Sequence, residues 1–248
     1  AYGEQILVSS NTHSLSLEAS KTPSIKESNN ISLSLRDFEA EFRDLGERRL
    51  KDVIEPIRLF QIESEGLRKE FPPLKTLDAR PNNLPIQLTS FIGREKEMKH
   101  VKEILKLNRL VTLASSGGSG KTRLALQTAA EVIDEYESGV WFVDLAAVND
   151  PALLIAAVIE ALGIKEESKK TTEETLVDFL KEKEILILLD NCEQLINACA
   201  LLTERLLSSC PKLKIISTTR ESMNCGGEFT YRIPPLTQPD PNQNNTPE

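Results

Sequence analysis

A run of small residues that begins at residue 115 has the spacing of a phosphate-binding loop. It reads Ser-Ser-Gly-Gly-Ser-Gly-Lys-Thr, follows an apolar run and precedes an amphipathic helical pattern. Backbone N–H groups of such a loop can surround phosphate oxygens, and the N-terminus of the next helix adds a favourable dipole. The ammonium of Lys121 can reach the β- and γ-phosphates of a nucleotide, and the hydroxyl of Thr122 can bind Mg²⁺. The sequence therefore predicts a Mg²⁺-dependent nucleotide site.

One position of this loop departs from the pattern G-x-x-x-x-G-K-[ST]. Ser115 stands where the pattern has its first glycine. If the backbone there needs a positive φ, serine costs about 1–2 kcal/mol of strain, and if it lies in the β region, serine costs little. The sequence alone leaves both conformations open.

Two further candidate groups follow apolar runs that predict buried strands. Asp190 ends the run Glu-Ile-Leu-Ile-Leu-Leu-Asp, and an acid at that edge of a parallel sheet can bind Mg²⁺. The alternative is an aspartate that caps the next helix. Arg220 follows Ser-Thr-Thr, and its guanidinium can lie near a γ-phosphate and respond to it, although a surface arginine gives the same pattern.

The residues after Asp190 bear on the rate of hydrolysis. Asn191 cannot accept a proton from an attacking water, and Glu193 is the nearest acid along the chain, with helix capping as its alternative role. We therefore expect slow hydrolysis, which suits a switch better than a motor.

Alternating helices and strands must position these groups. The predicted helices cover residues 95–107, 122–136, 150–162, 171–183 and 193–208, and the predicted strands cover 109–114, 139–145, 184–190, 214–219 and 230–233. This alternation predicts a parallel sheet in a three-layer α/β domain over residues 88–237.

The remaining residues have a different character. Residues 1–63 predict a small, β-rich partial domain, with strand candidates at 5–9, 49–53 and 58–62 and turn chemistry at 44–47. Prolines indicate an extended linker over 64–87. The polar, proline-rich residues 238–248 predict a disordered tail.

Composition limits the class of protein. The chain has 248 residues, of which 40% are hydrophobic and 27% charged, typical of a soluble globular protein. A net charge of −8 argues against direct nucleic-acid binding, and no apolar run approaches the ~20 residues needed to cross a membrane. The four cysteines match no zinc-binding spacing and indicate reduced thiols in a cytoplasmic protein. Since there is no initiator Met, we expect the chain to begin inside a longer protein.

Five segments together resemble the NB-ARC-type STAND ATPases, a class of nucleotide switches that includes AfsR- and LuxR-like bacterial regulators, apoptosis activators and plant resistance proteins. The segments are residues 84–95, 117–125, 141–145, 188–193 and 219–221. The resemblance covers about residues 84–237 and implies a P-loop NTPase fold with ATP or ADP and Mg²⁺ as cofactors. It also implies the sheet order 2-3-1-4-5, with the strand of Arg220 between those of Lys121 and Asp190.

The resemblance further implies roles for individual residues. In that family a Phe-Ile-Gly-Arg segment lies against the adenine, the loop Lys and Thr hold phosphate and Mg²⁺, and the Arg of Thr-Thr-Arg senses the γ-phosphate. The implied nucleotide-binding residues are Ile92, Gly93, Arg94, Gly117, Gly118, Ser119, Gly120, Lys121, Thr122 and Arg123. The implied Mg²⁺ ligands are Thr122 and Asp190, and the catalytic candidates are Lys121, Asp190, Glu193 and Arg220.

A second resemblance concerns residues 1–63, which are similar to the C-terminal end of a class III nucleotide cyclase domain. It rests on residues 3–9, 43–51 and 58–62. In that family the metal-binding aspartates and the transition-state Asn and Arg lie upstream, so this segment carries no cyclase site. Fusion of a cyclase domain to such an ATPase is a recurring architecture. The alternative is an unrelated β-rich linker domain.

These observations predict an ATP/ADP-binding signalling switch of a multidomain, cytoplasmic regulator, with slow Mg²⁺-dependent ATP hydrolysis at most. A kinase or fast NTPase, and a fragment of a cyclase signalling protein, are the alternatives. The absence of an N-K-x-D segment disfavours GTP. The expected partners are an adenine nucleotide, winged-helix and repeat domains beyond residue 248, and other copies of the chain in nucleotide-dependent oligomers. We expect no membrane partner.

Overall fold

The computed structural model describes residues 6–9, 40–50, 56–64, 68, 70–71, 74, 76–86, 91, 93–165 and 169–235. The chain divides into two compact units, residues 1–79 with 86–90 and residues 80–85 with 91–248. Ile92, the predicted tail at 238–248 and most of the predicted strand at 49–53 lie outside the described residues.

An antiparallel sheet forms the described part of the first unit. Its strands are β1 (Leu7–Ser9), β2 (Ala40–Arg48) and β3 (Ile57–Ser64), in the order β1-β3-β2. The turn predicted within β2 is wrong, because the strand continues past it with a bulge between Asp44 and Gly46. The carboxylate of Asp44 accepts a hydrogen bond from the Gly46 N–H at 2.8 Å, and Gly46 has a φ of 78°. Residues with turn chemistry therefore produce a β-bulge here.

A parallel sheet of five strands is the centre of the second unit. The strands are β4 (Leu110–Ala114), β5 (Val140–Asp144), β6 (Ile185–Asp190), β7 (Leu213–Thr219) and β8 (Glu228–Arg232). Their order is β5-β6-β7-β4-β8, and all neighbours are parallel. The predicted α/β class and parallel sheet are confirmed.

The predicted strand order 2-3-1-4-5 is wrong, since the order within this sheet is 2-3-4-1-5. The implied position of β7 between β4 and β6 is nevertheless confirmed. Six of the seven residues of β7 are buried. The backbone N–H and C=O groups of a buried strand need hydrogen-bond partners on both edges, which a central position provides. The buried hydroxyls of Thr112 and Ser217, 2.9 Å apart, also form a hydrogen bond between β4 and β7.

Helices cover both faces of this sheet. They are α1 (Glu95–Leu107), α2 (Lys121–Val132), α3 (Leu154–Ala161), α4 (Thr172–Leu180) and α5 (Ile196–Ser209). Alternate residues of β6, Ile185, Ile187 and Leu189, belong to one apolar cluster with residues of α3, α4 and α5. Helices α1 and α2 contact each other and the sheet. The predicted three-layer architecture is therefore confirmed, and the helix predicted at 95–107 has those bounds in the structure.

Local sequence signals fix where these helices begin. Helix α4 starts with a capping box, in which Thr171 Oγ1 accepts a hydrogen bond from the Glu174 N–H at 3.2 Å and Glu174 Oε2 accepts one from the Thr171 N–H at 2.8 Å. A 3₁₀ turn precedes α3, with Asp150 as its cap and Pro151 as its first residue. No helix in the described part of the chain is long and apolar enough to cross a membrane.

Residues 81–83, here called the edge segment, lie along the outer edge of β5. The Val140 N–H donates to the Pro81 carbonyl at 3.1 Å. The side chain of Asn83 imitates a strand backbone, because its amide donates to the Phe142 carbonyl at 2.8 Å and its oxygen accepts from the Phe142 N–H at 2.6 Å. Part of the predicted linker at 64–87 therefore packs with the second unit and forms hydrogen bonds with the backbone of the edge strand β5.

Candidate functional site

The phosphate-binding loop connects the end of β4 to the start of α2. Gly118 and Gly120 have φ values of 75° and 81°, a region that glycine enters without strain. The Lys121 ammonium donates to the carbonyls of Ser115 and Ser116 at 3.0 and 3.1 Å. Because both acceptors lie at the start of the loop, the lysine side chain folds back over it. The lysine charge thus lies over a glycine-rich loop, an arrangement that suits phosphate.

Ser115 occupies its position without backbone strain. The non-glycine residues of the described chain with positive φ are Arg94, Asn191 and Asn224, so Ser115 is not among them. Its hydroxyl forms a short hydrogen bond with the hydroxyl of Ser119. The low-cost alternative for the missing first glycine is therefore the one that the structure supports.

Asp190 joins the loop to the two central strands β6 and β7. Its carboxylate accepts hydrogen bonds from Thr122 Oγ1 at 2.8 and 3.0 Å, from Thr218 Oγ1 at 2.5 Å and from Asn191 Nδ2 at 3.0 Å. None of these bonds is to a helix N–H, and α5 begins without a side-chain cap. The capping role considered for Asp190 is therefore wrong.

The charge of this carboxylate has little compensation. Asp190 is only 3% exposed, and no lysine or arginine of the described chain forms an ion pair with it. Burial raises the pKa of Asp190 above its ordinary value, hydrogen bonds from Thr218 and Thr122 lower it, and the charges of Asp144 and Glu193 raise it. A buried carboxylate beside a hydroxyl is a donor set that fits Mg²⁺. The protein alone would not complete the coordination of Mg²⁺, since the described residues contain no cluster of three His, Cys, Asp or Glu side chains that could hold a metal ion.

Asn191 and Asp144 extend the site to the end of β5. Asn191 has a left-handed backbone, with φ 61° and ψ 46°. Its N–H donates to Thr218 Oγ1 at 3.0 Å, and its side-chain amide donates to Asp144 Oδ1 at 3.3 Å. Asp144 and Thr218 were absent from the predicted site. The signal for Asp144 was available, because it ends a predicted strand just as Asp190 does, and the two residues are direct neighbours across β5 and β6.

Arg220 and Glu193 form an ion pair beside the loop. Arg220 Nε lies 3.5 Å from Glu193 Oε1, and their side chains are 70% and 24% exposed. The Ser115 N–H donates to the Thr219 carbonyl at 3.3 Å, which places Arg220 next to the loop. Glu193 caps no helix, and its second oxygen is buried without a hydrogen-bond partner in the described chain.

Gly93 and Arg94 precede α1 with an unusual backbone. Both have positive φ, 80° and 63°, and the Gly93 N–H donates to Glu95 Oε1 at 3.1 Å. Arg94 Nη2 donates to the Pro234 carbonyl at 3.0 Å, while Nη1 lies 3.9 Å from Glu97 Oε1. Nε and Nη1 are buried and form no hydrogen bond within the described chain. These unused donors are compatible with a polar ligand.

The structure thus brings Lys121, Thr122 and Asp190 together and places Glu193 and Arg220 beside them. Gly117, Gly118, Ser119 and Gly120 form the loop, and Arg123 follows in the first turn of α2.

The sequence pattern of the NB-ARC domain family matches residues 94–231, which include the loop, Asp190 and Arg220. This chain belongs to the NB-ARC family. The NB-ARC domain therefore occupies the α/β unit, and the match does not extend to the antiparallel sheet of the first unit. Membership identifies the unit as a P-loop nucleotide-binding domain.

Relatives of this NB-ARC domain occur in longer proteins. An uncharacterized protein of Mycobacterium tuberculosis is 41% identical over 150 residues, which are 60% of this chain and 38% of that protein. A second M. tuberculosis protein, provisionally named an HTH-type transcriptional regulator, is 40% identical over 140 residues, 56% of this chain and 16% of that protein. The chain therefore matches well under half the length of each. Among solved structures, Drosophila ORC bound to DNA gives a TM-score of 0.47 at 16% identity, over 57% of this chain and 43% of that chain.

Proposed function

We propose that this NB-ARC domain is an ATP/ADP-binding switch in a regulator, with slow Mg²⁺-dependent hydrolysis at most. The observation that carries the proposal is the hydrogen bonding of Thr122 and Thr218 to the buried Asp190, beside a lysine that lies over a glycine-rich loop. These hydrogen bonds hold the loop and the ends of β6 and β7 together.

Each residue has a role that follows from its chemistry. The loop N–H groups and Lys121 bind the β- and γ-phosphates, and Lys121 exchanges its two carbonyl partners for phosphate oxygens. The Thr122 hydroxyl and the Asp190 carboxylate hold Mg²⁺, which neutralises phosphate charge when bound. Arg220 binds the γ-phosphate. Gly93 and Arg94 bind the base side of the nucleotide, where Arg94 offers unused N–H donors.

Slow hydrolysis is supported by the residues after β6. The side chain of Asn191 donates its amide hydrogens to two carboxylates, so it offers no base to an attacking water. Glu193 is the nearest acid after Asp190 along the chain, but it is paired with Arg220. A domain of this kind retains nucleotide for longer than an enzyme selected for turnover does.

The biological setting is also a proposal. A relative that is provisionally named an HTH-type transcriptional regulator supports a role in signal-dependent transcription. We place the protein in the cytoplasm, with winged-helix and repeat domains as partners and nucleotide-dependent oligomerisation as output. The net charge of −8 supports DNA contact through another domain, not through this one.

Calorimetric titration with ATP, ADP and GTP, each with and without Mg²⁺, tests the proposal. We expect ATP and ADP to bind in a Mg²⁺-dependent manner, and GTP to bind more weakly. Lys121→Ala should lower ADP affinity about 10- to 100-fold, because charge-assisted hydrogen bonds to phosphate are lost. Lys99→Ala, an exposed lysine on α1, is the matched control. Unchanged ADP affinity in Lys121→Ala would refute the nucleotide site, and turnover of ~1–10 s⁻¹ would refute slow hydrolysis.

A further inference from the structure

The ion pair between Arg220 and Glu193 gives the guanidinium an internal anionic partner. Arg220 Nε lies 3.5 Å from Glu193 Oε1. Arg220 follows β7, and Glu193 lies in the 3₁₀ turn Cys192–Gln194 that follows β6. Because β6 and β7 are parallel neighbours, both residues emerge at the same edge of the sheet as the phosphate-binding loop.

The two partners differ in how freely they can move. The side chain of Arg220 is 70% exposed, so its guanidinium can leave the pair at little cost. Glu193 is more enclosed, at 24% exposure, so its side chain has less room to move than that of Arg220. Glu193 is therefore the fixed member of the pair and Arg220 the mobile one.

A γ-phosphate competes with Glu193 for Arg220. Both are anions, and a guanidinium binds phosphate and carboxylate through the same N–H donors. ADP lacks the γ-phosphate, so its binding leaves the ion pair intact. ATP binding must break the pair or bring two anions close together around one cation, and either outcome reduces the advantage of the extra phosphate.

We infer that Glu193 is a specificity-determining residue, which lowers the affinity for ATP relative to ADP by holding Arg220 away from the γ-phosphate. This inference rests on the proposed nucleotide site. The effect is moderate, because exposed ion pairs of this kind correspond to about 1.5- to 5-fold in an equilibrium constant. It nevertheless biases the resting domain towards ADP.

The test is a set of calorimetric titrations of the full chain with Mg²⁺–ADP and with Mg²⁺ plus a non-hydrolysable imido analogue of ATP. The variants are Glu193→Gln, Arg220→Gln and the double variant. Glu221→Gln removes one negative charge from the residue next to Arg220, an exposed side chain outside the ion pair, and is the matched control. Thermal unfolding of each variant verifies that it folds.

We expect Glu193→Gln to raise the affinity for the ATP analogue about 1.5- to 5-fold and to leave ADP affinity unchanged. Arg220→Gln should lower the affinity for the ATP analogue alone, and in that background Glu193→Gln should have no effect. The inference is overturned if Glu193→Gln raises the affinity for ADP equally, if Glu221→Gln raises the affinity for the ATP analogue equally, or if the gain persists in the absence of Arg220. Each of these outcomes would show that the effect comes from general removal of negative charge. Lower affinity for the ATP analogue in Glu193→Gln would overturn it by showing that Glu193 orients Arg220 for phosphate.

These outcomes are separate from those that test the nucleotide site. If the unsubstituted chain binds neither ADP nor the ATP analogue, the proposed function fails. If it binds both, and Glu193→Gln changes neither affinity, the site stands and only the role of Glu193 fails.

Discussion

At the scale of single residues, the site combines groups that are costly for the folded protein. Asp190 is a buried carboxylate whose hydrogen bonds come from neutral hydroxyl and amide groups. Removing a carboxylate from water disfavours its charged form, and here burial outweighs the hydrogen bonds, so that the pKa of Asp190 is raised. No lysine or arginine of the described chain forms an ion pair with this carboxylate. The unpaired charge therefore supports a role in binding a metal ion.

This reasoning predicts the effect of Asp190→Asn on stability. Because burial raises the pKa of Asp190, the folded state binds a proton more tightly than the unfolded state does. That contribution to stability is present at acid pH and is lost as pH rises through the raised pKa. Asp190→Asn should therefore have an unfolding free energy at pH 7 that is equal to that of the unsubstituted protein or higher by about 1 kcal/mol.

Urea unfolding without nucleotide, measured from pH 4 to pH 8, checks this expectation. The difference in unfolding free energy between Asp190→Asn and the unsubstituted protein should grow with pH, and Glu137→Gln, which removes one charge from an exposed side chain, is measured as the control. Asp190→Asn should also lose the Mg²⁺ dependence of nucleotide binding. If Asp190→Asn instead loses stability relative to the unsubstituted protein as the pH rises, Asp190 is a structural residue.

The groups of the proposed nucleotide site could be predicted from sequence because each follows a strand or a loop with its own local signature. Thr122 is hydrogen-bonded to Asp190, and Lys121 lies over the loop that contains both of its carbonyl partners. The conformation at Ser115 could not be predicted, because φ at one loop position depends on the surrounding hydrogen bonds. The contact between Asn191 and Asp144 also could not be predicted, since it requires knowledge of which strands are neighbours.

At the scale of elements, local patterns determined the helices and strands but not their pairing. Helical periodicity over 95–107 and the capping residues Thr171 and Glu174 gave the right elements. The order of the strands is non-local, and a parallel strand can be inserted between two others without changing its own sequence pattern. The bulge in β2 illustrates the same limit, because Asp44 and Gly46 fit either a turn or a bulge.

The edge segment shows that residues before the NB-ARC match are part of its sheet. Gly139 has a φ of 86°, and a Cβ atom on it would lie 1.8 Å from the Pro81 carbonyl oxygen. No side chain fits without displacing the segment. The glycine thus allows two backbones to approach closely enough for the hydrogen bond between Pro81 and Val140.

Gly139→Ala should therefore detach the edge segment from β5. We expect the amides of Val140 and Phe142 to exchange hydrogen at least tenfold faster, and the unfolding free energy to fall by about 2–3 kcal/mol. Gly163→Ala is the matched control, because Gly163 also has a positive φ of 64° but open space around its Cβ position. It should cost about 1 kcal/mol through backbone strain alone and leave exchange at β5 unchanged. Equal effects of the two substitutions would contradict the close-approach explanation.

At the scale of the whole molecule, the chain contains two units of different kinds. The family match lies in the second unit, and every described residue of the proposed nucleotide site lies there as well. The cyclase resemblance of residues 1–63 stays a prediction. The antiparallel sheet of β1, β2 and β3 is compatible both with it and with an unrelated β-rich domain.

This division predicts how the full chain responds to its ligand. A ligand that binds only the folded state stabilises it by RT ln(1 + [L]/Kd), which is about 2.7 kcal/mol at a concentration 100 times Kd. For a unit of this size, that corresponds to a rise in Tm of about 5–10 °C. Mg²⁺–ADP should therefore shift the melting of the second unit, followed through the single tryptophan, Trp141 on β5, by this amount. The melting temperature of Lys121→Ala should not change.

A shift of the same size in Lys121→Ala would show that ADP binds outside the loop. Protection by ADP against amide exchange in β1–β3 would show that the two units respond as one.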